Sequence, residues 1–557
     1  MVWRVRLRAA ALVLVLLWLP EPGAAQERSQ ARPPESPQQD PQPQASHPQD
    51  APLPGLRSPD GGGIDAAMVD SVIGTALNFL GPRTLEAYSD RQFTLWGLGG
   101  LTAIDPSMTL ETDPDTIRLV TPQGVLQARP APRDGDLVGW TQVAVAMADA
   151  AWRNSSLLRN AGQQALIQSF FDELFNHLDP YSRYIAPAPA ITDRTARNGA
   201  EAGPGITIVR GGRSVLITAV NAEGPAWQAG LSAGMRLLAV DGRSTRNRDE
   251  ATITGWLQGT DGSSVVLAVA PPGRGAEKSV TLTRAQVPPE TVFAFSSGDI
   301  VVLRVTGFST DTAQEMSQFL DQAMQPKGPD GGRPSRVRGL IFDLRGNRGG
   351  LLQQAVTSVA LVLDHGVAVV TRGRSPQANH IWSVQGGDLT GGIPIVVLVD
   401  GRTASAAEIM AAALADHRRA VVVGSATLGK GLVQTIAQLP DGGELFVTWS
   451  RVIAPLGWPL QGLGVMPQLC TSLGQAAIDR ALADLADGVQ DNARAVRESR
   501  RARAPLPVAR ILEIRNACPA AIGGDADLDA ARVLLEDVVS YRAALVPDEA
   551  ALDVHLE

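Results

Sequence analysis

Cysteine, histidine and long apolar runs are all scarce in this chain. Its 557 residues include two cysteines and six histidines. No group of Cys and His has metal-ligand spacing, so a zinc centre is not expected. Scarce histidine also narrows the routes to a histidine-based hydrolase. Past the N-terminal segment, no stretch is apolar and long enough to cross a bilayer. The chain has no long Lys/Arg run and a formal net charge of −8, which argues against nucleic acid as a partner. Cys470 and Cys518 leave two readings open: a disulfide in an exported chain, or two buried thiols.

What is present suits a soluble protein of several domains. A chain of 557 residues is too long for one core, so two to four domains are expected. Apolar residues make up 44% and charged residues 19%, ordinary values for a globular chain. Arg4, Arg6 and Arg8 precede an apolar run over 9–19 and the small residues Gly23-Ala24-Ala25. This pattern reads as a secretory signal, residues 1–25, cleaved after Ala25. It predicts a periplasmic or extracellular protein; the alternative is an uncleaved N-terminal anchor. Residues 26–63 are rich in Pro, Gln and Ser and read as a disordered tether.

Four further regions follow. Residues 64–194 read as mostly helical, with helical spacing over 140–178 that Pro180 stops. Residues 195–287 are strand-rich, clearest at 215–220, 237–240 and 265–269, with one short helix near Pro225. Residues 288–470 alternate strand and helix: strands at 301–305, 339–343, 393–400 and 420–424, helices at 312–324, 353–363 and 404–415. That order predicts an α/β domain with buried strands. Residues 471–557 read as a helical extension.

The chemistry concentrates in the α/β region. Ser405 lies where strand turns into helix in Gly401-Arg402-Thr403-Ala404-Ser405-Ala406-Ala407-Glu408. Its hydroxyl would sit among unpaired backbone N–H groups at the positive end of a helix dipole. Such surroundings suit a nucleophile whose attack creates an oxyanion; they equally suit an ordinary helix cap, with Thr403 as a rival cap. Lys430, between Gly429 and Gly431 in apolar sequence, is either a turn lysine or a general base kept neutral by burial. Gln434 falls on the face of Lys430 and offers an amide oxygen to orient it. A phosphate-binding loop is the rival for Gly424-x4-Gly429-Lys430, but Gly431 stands where the Ser/Thr should be, and a β-branched run replaces the required helix. A serine–histidine pair lacks G-x-S-x-G around Ser405, and His417 lies a full helix away; His380 stays open. The third element is Asp343-Leu344-Arg345-Gly346-Asn347-Arg348-Gly349-Gly350-Leu351-Leu352, a buried strand entering a glycine turn. It reads as a sharp turn, as a close backbone approach to a ligand, or as both.

In this order the segments resemble the C-terminal processing peptidases, also called tail-specific or carboxyl-terminal proteases. Thr403-Ala404-Ser405-Ala406 through Glu408 is similar to the family's nucleophile element, and 424–434 to its G-x-x-T-x-G-K-G-x-x-Q base element. Asp343 to Leu352 matches D-L-R-x-N-x-G-G-L-L. Leu178-Asp179-Pro180-Tyr181-Ser182 is similar to the element preceding the family's PDZ domain, which Gly203-Pro204-Gly205-Ile206, 224–231 and 234–242 resemble. The resemblance implies a multidomain fold: an α/β serine-protease core of the ClpP/crotonase-like kind, an inserted PDZ domain over 195–287, and helical N- and C-terminal extensions. It implies Ser405, Lys430 and Gln434 as a catalytic triad and an oxyanion hole from Ala406 N–H with Gly349 or Gly350 N–H. It gives Asp416 a supporting role and assigns tail binding to Gly203, Pro204, Gly205 and Ile206. The implied activity is a serine endopeptidase that cuts protein substrates near accessible C-terminal tails, without metal or cofactor. An activating adaptor and a homo-oligomer stay open as partners, and an idle PDZ scaffold is the alternative. The chain departs from the pattern at Ala407, in the Pro/Gln tether, in the Cys-containing tail, and at Pro204, which removes a donor from the carboxylate loop.

Overall fold

A computed structural model describes residues 63–546 apart from 198–201, 212–213, 222–223, 273–274, 288–289, 326–336 and 491. The expected signal segment and nearly all of the expected tether lie outside the described residues. Among the described residues no helix is long and apolar enough to cross a membrane.

A six-stranded sheet carries the α/β region. Its order is Val292–Ser297, Ile300–Val305, Gly339–Asp343, Ile395–Val399, Val421–Gly424 and Leu469–Cys470. The first pair is antiparallel and every later pair is parallel. Strands Gly339–Asp343, Ile395–Val399 and Val421–Gly424 are buried at every position, as expected where both faces of a parallel sheet are covered. Leu340, Phe342, Ile395, Val397 and Val399 face one core with Ile409 and Met410 of helix Ala406–Asp416. Ile341, Val396, Leu398, Val421 and Val423 face the other, beneath Ile478, Leu485, Leu534, Leu535 and Tyr541 of the C-terminal helices. Each such fully buried side chain contributes about 1.5–3 kcal/mol. The C-terminal helices Gln475–Ala486, Asp525–Glu536 and Val538–Ala544 are therefore the second cover of this six-stranded sheet.

A second sheet, His380–Gln385, His365–Arg372, Glu444–Ile453 and Leu432–Gln438, is antiparallel, with Arg183–Ile185 beside Glu444–Ile453. Leu439, Leu445 and Val447 join the core of the N-terminal region. There the single helical stretch expected over 140–178 is three helices: Leu137–Asn154, Ser156–Ala161 and Gln163–Phe175. The Ser155 side chain caps the second helix, and Gly162, at φ 88°, breaks the path into the third. That region also contains a three-stranded sheet, Thr109–Thr112, Thr116–Thr121 and Gly124–Pro130. Only Ile117 and Leu119 of it are fully buried, so its sequence carries little apolar signal.

The strand-rich region forms a sheet in the order Lys278–Thr283, Ser264–Ala270, Arg236–Val240, Ser214–Val220 and Ile206–Gly211, with Ile206–Gly211 at an edge. It contains the helix Pro225–Gln228 and a second helix, Glu250–Leu257, which starts on the Asp249 cap.

Candidate active site

Three turns meet at the carboxyl ends of adjacent parallel strands, the usual place for a site in an open α/β sheet. The glycine turn 344–350 follows Gly339–Asp343, the serine turn 400–405 follows Ile395–Val399, and the lysine loop 425–431 follows Val421–Gly424. They are bonded to one another. Ala404 N–H donates to Asn347 O at 2.9 Å and Leu428 N–H to Thr403 O at 3.0 Å. Thr403 Oγ1 donates to Leu344 O at 2.9 Å. Buried Asp400 accepts from the N–H groups of Gly346, Arg402 and Thr403 at 2.9, 3.0 and 3.0 Å.

Ser405 stands just before helix Ala406–Asp416 with φ 56° and ψ −120°. An ordinary cap adopts extended backbone; a β-substituted residue at this φ is strained and persists only where its surroundings hold it. The cap of this helix is inverted: Glu408 Oε2 accepts the Ser405 N–H at 2.8 Å. Gly349, at φ 96°, leaves no room for a side chain, since a Cβ there would lie 2.8 Å from Ser405 Cβ and 2.9 Å from Ala406 N. Glycine at 349 is thus required by close approach as well as by backbone angle.

Glu408 was not singled out by the sequence reading, yet it joins two of the turns. Fully buried, it accepts from Gly429 N–H at 2.7 Å, from Lys430 N–H at 2.9 Å, and from the Thr427 hydroxyl. Burial pushes its carboxyl upward against these bonds. The Lys430 amine is pushed below the ordinary lysine value of 10.5, first by burial and then by the Arg183 charge, with Glu408 opposing. Arg183 lies over the Phe446 ring at 4.2 Å. The direction is the one a general base needs, because only the neutral amine accepts a proton.

Not all expected partners are hydrogen-bonded to one another. Lys430 Nζ makes no hydrogen bond to Ser405; it lies 5.2 Å from the centroid of the Tyr181 ring. Gln434 does not reach Lys430 either. Its Nε2 donates to Thr448 Oγ1 at 3.2 Å and to Leu432 O at 3.3 Å. Thr448 Oγ1 donates in turn to Asp179 Oδ1 at 2.6 Å, and Asp179 also fixes the N–H groups of Tyr181 and Ser182. The 178–184 segment therefore belongs to the site.

The backbone donors differ from one another. Gly349 N–H is taken by Asn347 Oδ1 at 2.8 Å. Ala406 and Gly350 N–H groups donate to nothing among the described residues, so of the two glycines Gly350 is the one whose N–H is unused. Asp416 lies at the far end of the helix that Ser405 begins. It is buried, paired with Arg500 Nε at 2.7 Å and bonded by Trp458 Nε1 at 2.8 Å. His417, at that same end, binds Val367 O at 2.8 Å. In the loop expected to hold a tail, Gly203 N–H is occupied by Ala285 O at 2.9 Å and Pro204 has none to give. Gly205, at φ 74°, leads into the edge strand Ile206–Gly211. Cys470 and Cys518 form a disulfide that closes 48 residues. No group of His, Cys, Asp and Glu suited to a metal occurs among the described residues.

Comparison with known proteins gives concordant matches. The model of peptidase family S41 matches residues 299–470 and a PDZ domain model matches 216–271. The chain is 31% identical over 306 residues to a carboxy-terminal-processing protease of Bartonella bacilliformis, covering 55% of this chain and 69% of that one. It is 35% identical over 295 residues to a carboxyl-terminal-processing protease of Picosynechococcus sp., covering 52% and 69%. Among solved structures, the photosystem II D1 C-terminal processing protease is 25% identical, covers 68% of this chain and 92% of its own, and has a TM-score of 0.36.

Proposed function

The chain belongs to the carboxy-terminal processing proteases of peptidase family S41 and is a serine peptidase with a PDZ domain, and from that premise we propose that Ser405 is its nucleophile and Lys430 its general base. The observation that carries the reading is the strained Ser405 backbone, φ 56° and ψ −120°, held against Gly349 beside the open N–H groups of Ala406 and Gly350. A helix cap has no use for that strain; a nucleophile presented to a carbonyl does.

Neutral Lys430 Nζ takes the proton of Ser405 Oγ as the oxygen bonds to a substrate carbonyl carbon. The carbonyl oxygen becomes an oxyanion between Ala406 N–H and Gly350 N–H. Lys430 then gives its proton to the departing amine, and the C–N bond breaks. A water, deprotonated by Lys430, attacks the acyl-serine carbonyl; the ester C–O bond to Ser405 Oγ breaks, Lys430 returns the proton to that oxygen, and the new C-terminus is freed. For the first step the lysine side chain swings from the Tyr181 ring to Ser405, and Gln434 exchanges Thr448 for Lys430; hydrogen bonds of this kind often tighten only with substrate present. Asp416 supports from a distance, by fixing the far end of the serine helix. The edge strand Ile206–Gly211 suits capture of a substrate tail by strand addition, with Gly205 N–H as a donor to its carboxylate. The arginines followed by an apolar run at the N-terminus support an exported protein, and the shifts of patterning along the chain support domain boundaries near 195, 288 and 470.

The test is cleavage of a protein with an unfolded tail, read by mass spectrometry of the products. Cuts near the C-terminus are expected from the wild type, with none from Ser405→Ala or Lys430→Ala, and slower cutting when the tail is amidated. Equal cleavage by all three proteins would refute the assignment of the pair.

A further inference from the structure

The family model ends at residue 470, but the chain returns beyond it to the back of all three catalytic turns. Arg345 of the glycine turn binds Asp527 Oδ2 at 3.1 Å and the Gly524 carbonyl. In the serine turn, Gly401 N–H donates to Ala521 O at 2.8 Å, and Asp400 Oδ2 accepts from Gly523 N–H at 3.3 Å. In the lysine loop, the Ser425 hydroxyl donates to Ala521 O and accepts from Ala521 N–H, both at 3.0 Å, and Ala426 N–H reaches Cys518 O at 3.4 Å. Arg515 donates to Leu463 O at 2.7 Å and places its charge near Glu408, the carboxylate shared by Ser405 and Lys430.

These contacts are separate from the apolar cover of the sheet. They are polar, they address loops, and they fall within one short stretch. That stretch is fastened at one end by the Cys470–Cys518 disulfide and at the other by Asp527, whose Oδ1 accepts from Thr471 Oγ1 at 2.5 Å. Loops otherwise retain freedom that a reacting geometry cannot tolerate; a misplacement of about 1 Å costs on the order of a hundredfold in rate.

We propose that residues 515–527 are a strap that sets the mutual position of the serine, lysine and glycine turns, with Ala521 and Asp527 as its chief positioning residues. The proposal rests on the assignment of Ser405 and Lys430 above. It makes the segment beyond the family model part of the working protease.

The test uses the full mature chain carrying Asp527→Asn, Ser425→Ala, or both. Asp527→Asn places an amide donor where Arg345, Gly524 and Thr471 all donate; Ser425→Ala removes the two bonds to Ala521. Three quantities are read: the rate at which a small fluorophosphonate labels Ser405, kcat against KM on a tail substrate, and the folded fraction from near-UV circular dichroism. The strap predicts that labelling rate and kcat fall together by about ten- to a hundredfold per folded molecule, that KM holds, and that the double variant is slower than either single one. Wild-type labelling in both single variants, or loss that merely follows the folded fraction, overturns the strap. Ser405→Ala is the control: it should take no label, and label persisting there would overturn the assignment of Ser405 itself.

Discussion

Ser405 and Lys430 share one hydrogen-bond acceptor: their backbone N–H groups converge on Glu408 Oε2 at 2.8 and 2.9 Å. The turn that carries Ser405 and the loop that carries Lys430 are thus set by a single buried carboxylate, although their side chains form no hydrogen bond to each other in this structure.

Glu408→Ala should therefore be severe. It leaves the N–H groups of Ser405, Gly429 and Lys430 and the Thr427 hydroxyl without an acceptor in a buried place, at about 1–3 kcal/mol for each unmet group. Chemical denaturation should show a loss of several kcal/mol, with peptidase activity at background. Glu408→Gln keeps the shape but places an amide donor among donors, and should fall between. Wild-type activity in Glu408→Ala would show that the shared oxygen does not matter.

The pH–rate profile should report Lys430. Its folded-state value lies below 10.5, so kcat/KM should rise with pH and level off before an ordinary lysine would titrate. Arg183→Ala removes a repelling charge and should move that limb to higher pH. Stability follows the same linkage. Burial disfavours the charged amine in the folded chain, so Lys430 costs stability below its folded value, and the cost is relieved as pH rises toward 10.5. An unmoved limb in Arg183→Ala would contradict the assignment.

Glu290 should make stability pH-dependent in the opposite sense. It lines a cavity of about 180 Å³ with Val220, Trp227 and Glu315, and its Oε2 is buried without a partner among the described residues. Burial, then the Glu315 charge, pushes it from 4.5 up to about 7. The folded chain binds this proton more tightly, so its contribution is full below pH 4.5 and is lost as pH rises through about 7. Urea melts of Glu290→Gln should show a smaller fall in stability across that window and a more stable protein at pH 8. Parallel pH curves for variant and wild type would refute this.

Arg500→Met should strand Asp416 as an unpaired charge. Both side chains are fully buried, and breaking such a pair costs about 3–5 kcal/mol. Adding Asp416→Asn should recover most of it, because the amide oxygen still accepts from Trp458 and Leu456. A double variant no more stable than Arg500→Met would place the cost elsewhere.

The parts of this molecule that sequence discloses are those with a local rule. Strands apolar at every position, such as Ile395–Val399, announce a buried parallel sheet, and glycines at 349 and 350 announce a close approach. The weakly apolar sheet over Thr109–Pro130 and the breaks at Ser155 and Gly162 were hidden, because exposed strands and short helices satisfy no strong periodicity. Arg500, Ala521 and Asp527 were invisible for another reason: each acts across a large sequence separation on a turn whose own motif is complete without it. One compositional signal was there to use. Among 49 basic residues only three are lysines, Lys278, Lys327 and Lys430. Arginine does not give up its proton, so a chain that otherwise prefers arginine and keeps lysine at 430 marks that position.

The most direct measurement is peptide mapping by mass spectrometry after fluorophosphonate treatment, across pH, of the wild type and Lys430→Ala. A single adduct on Ser405 is expected, forming at a rate that rises with the deprotonation of Lys430 and collapses in Lys430→Ala. An adduct on another serine, or labelling of Ser405 at an unchanged rate without the lysine, would contradict it.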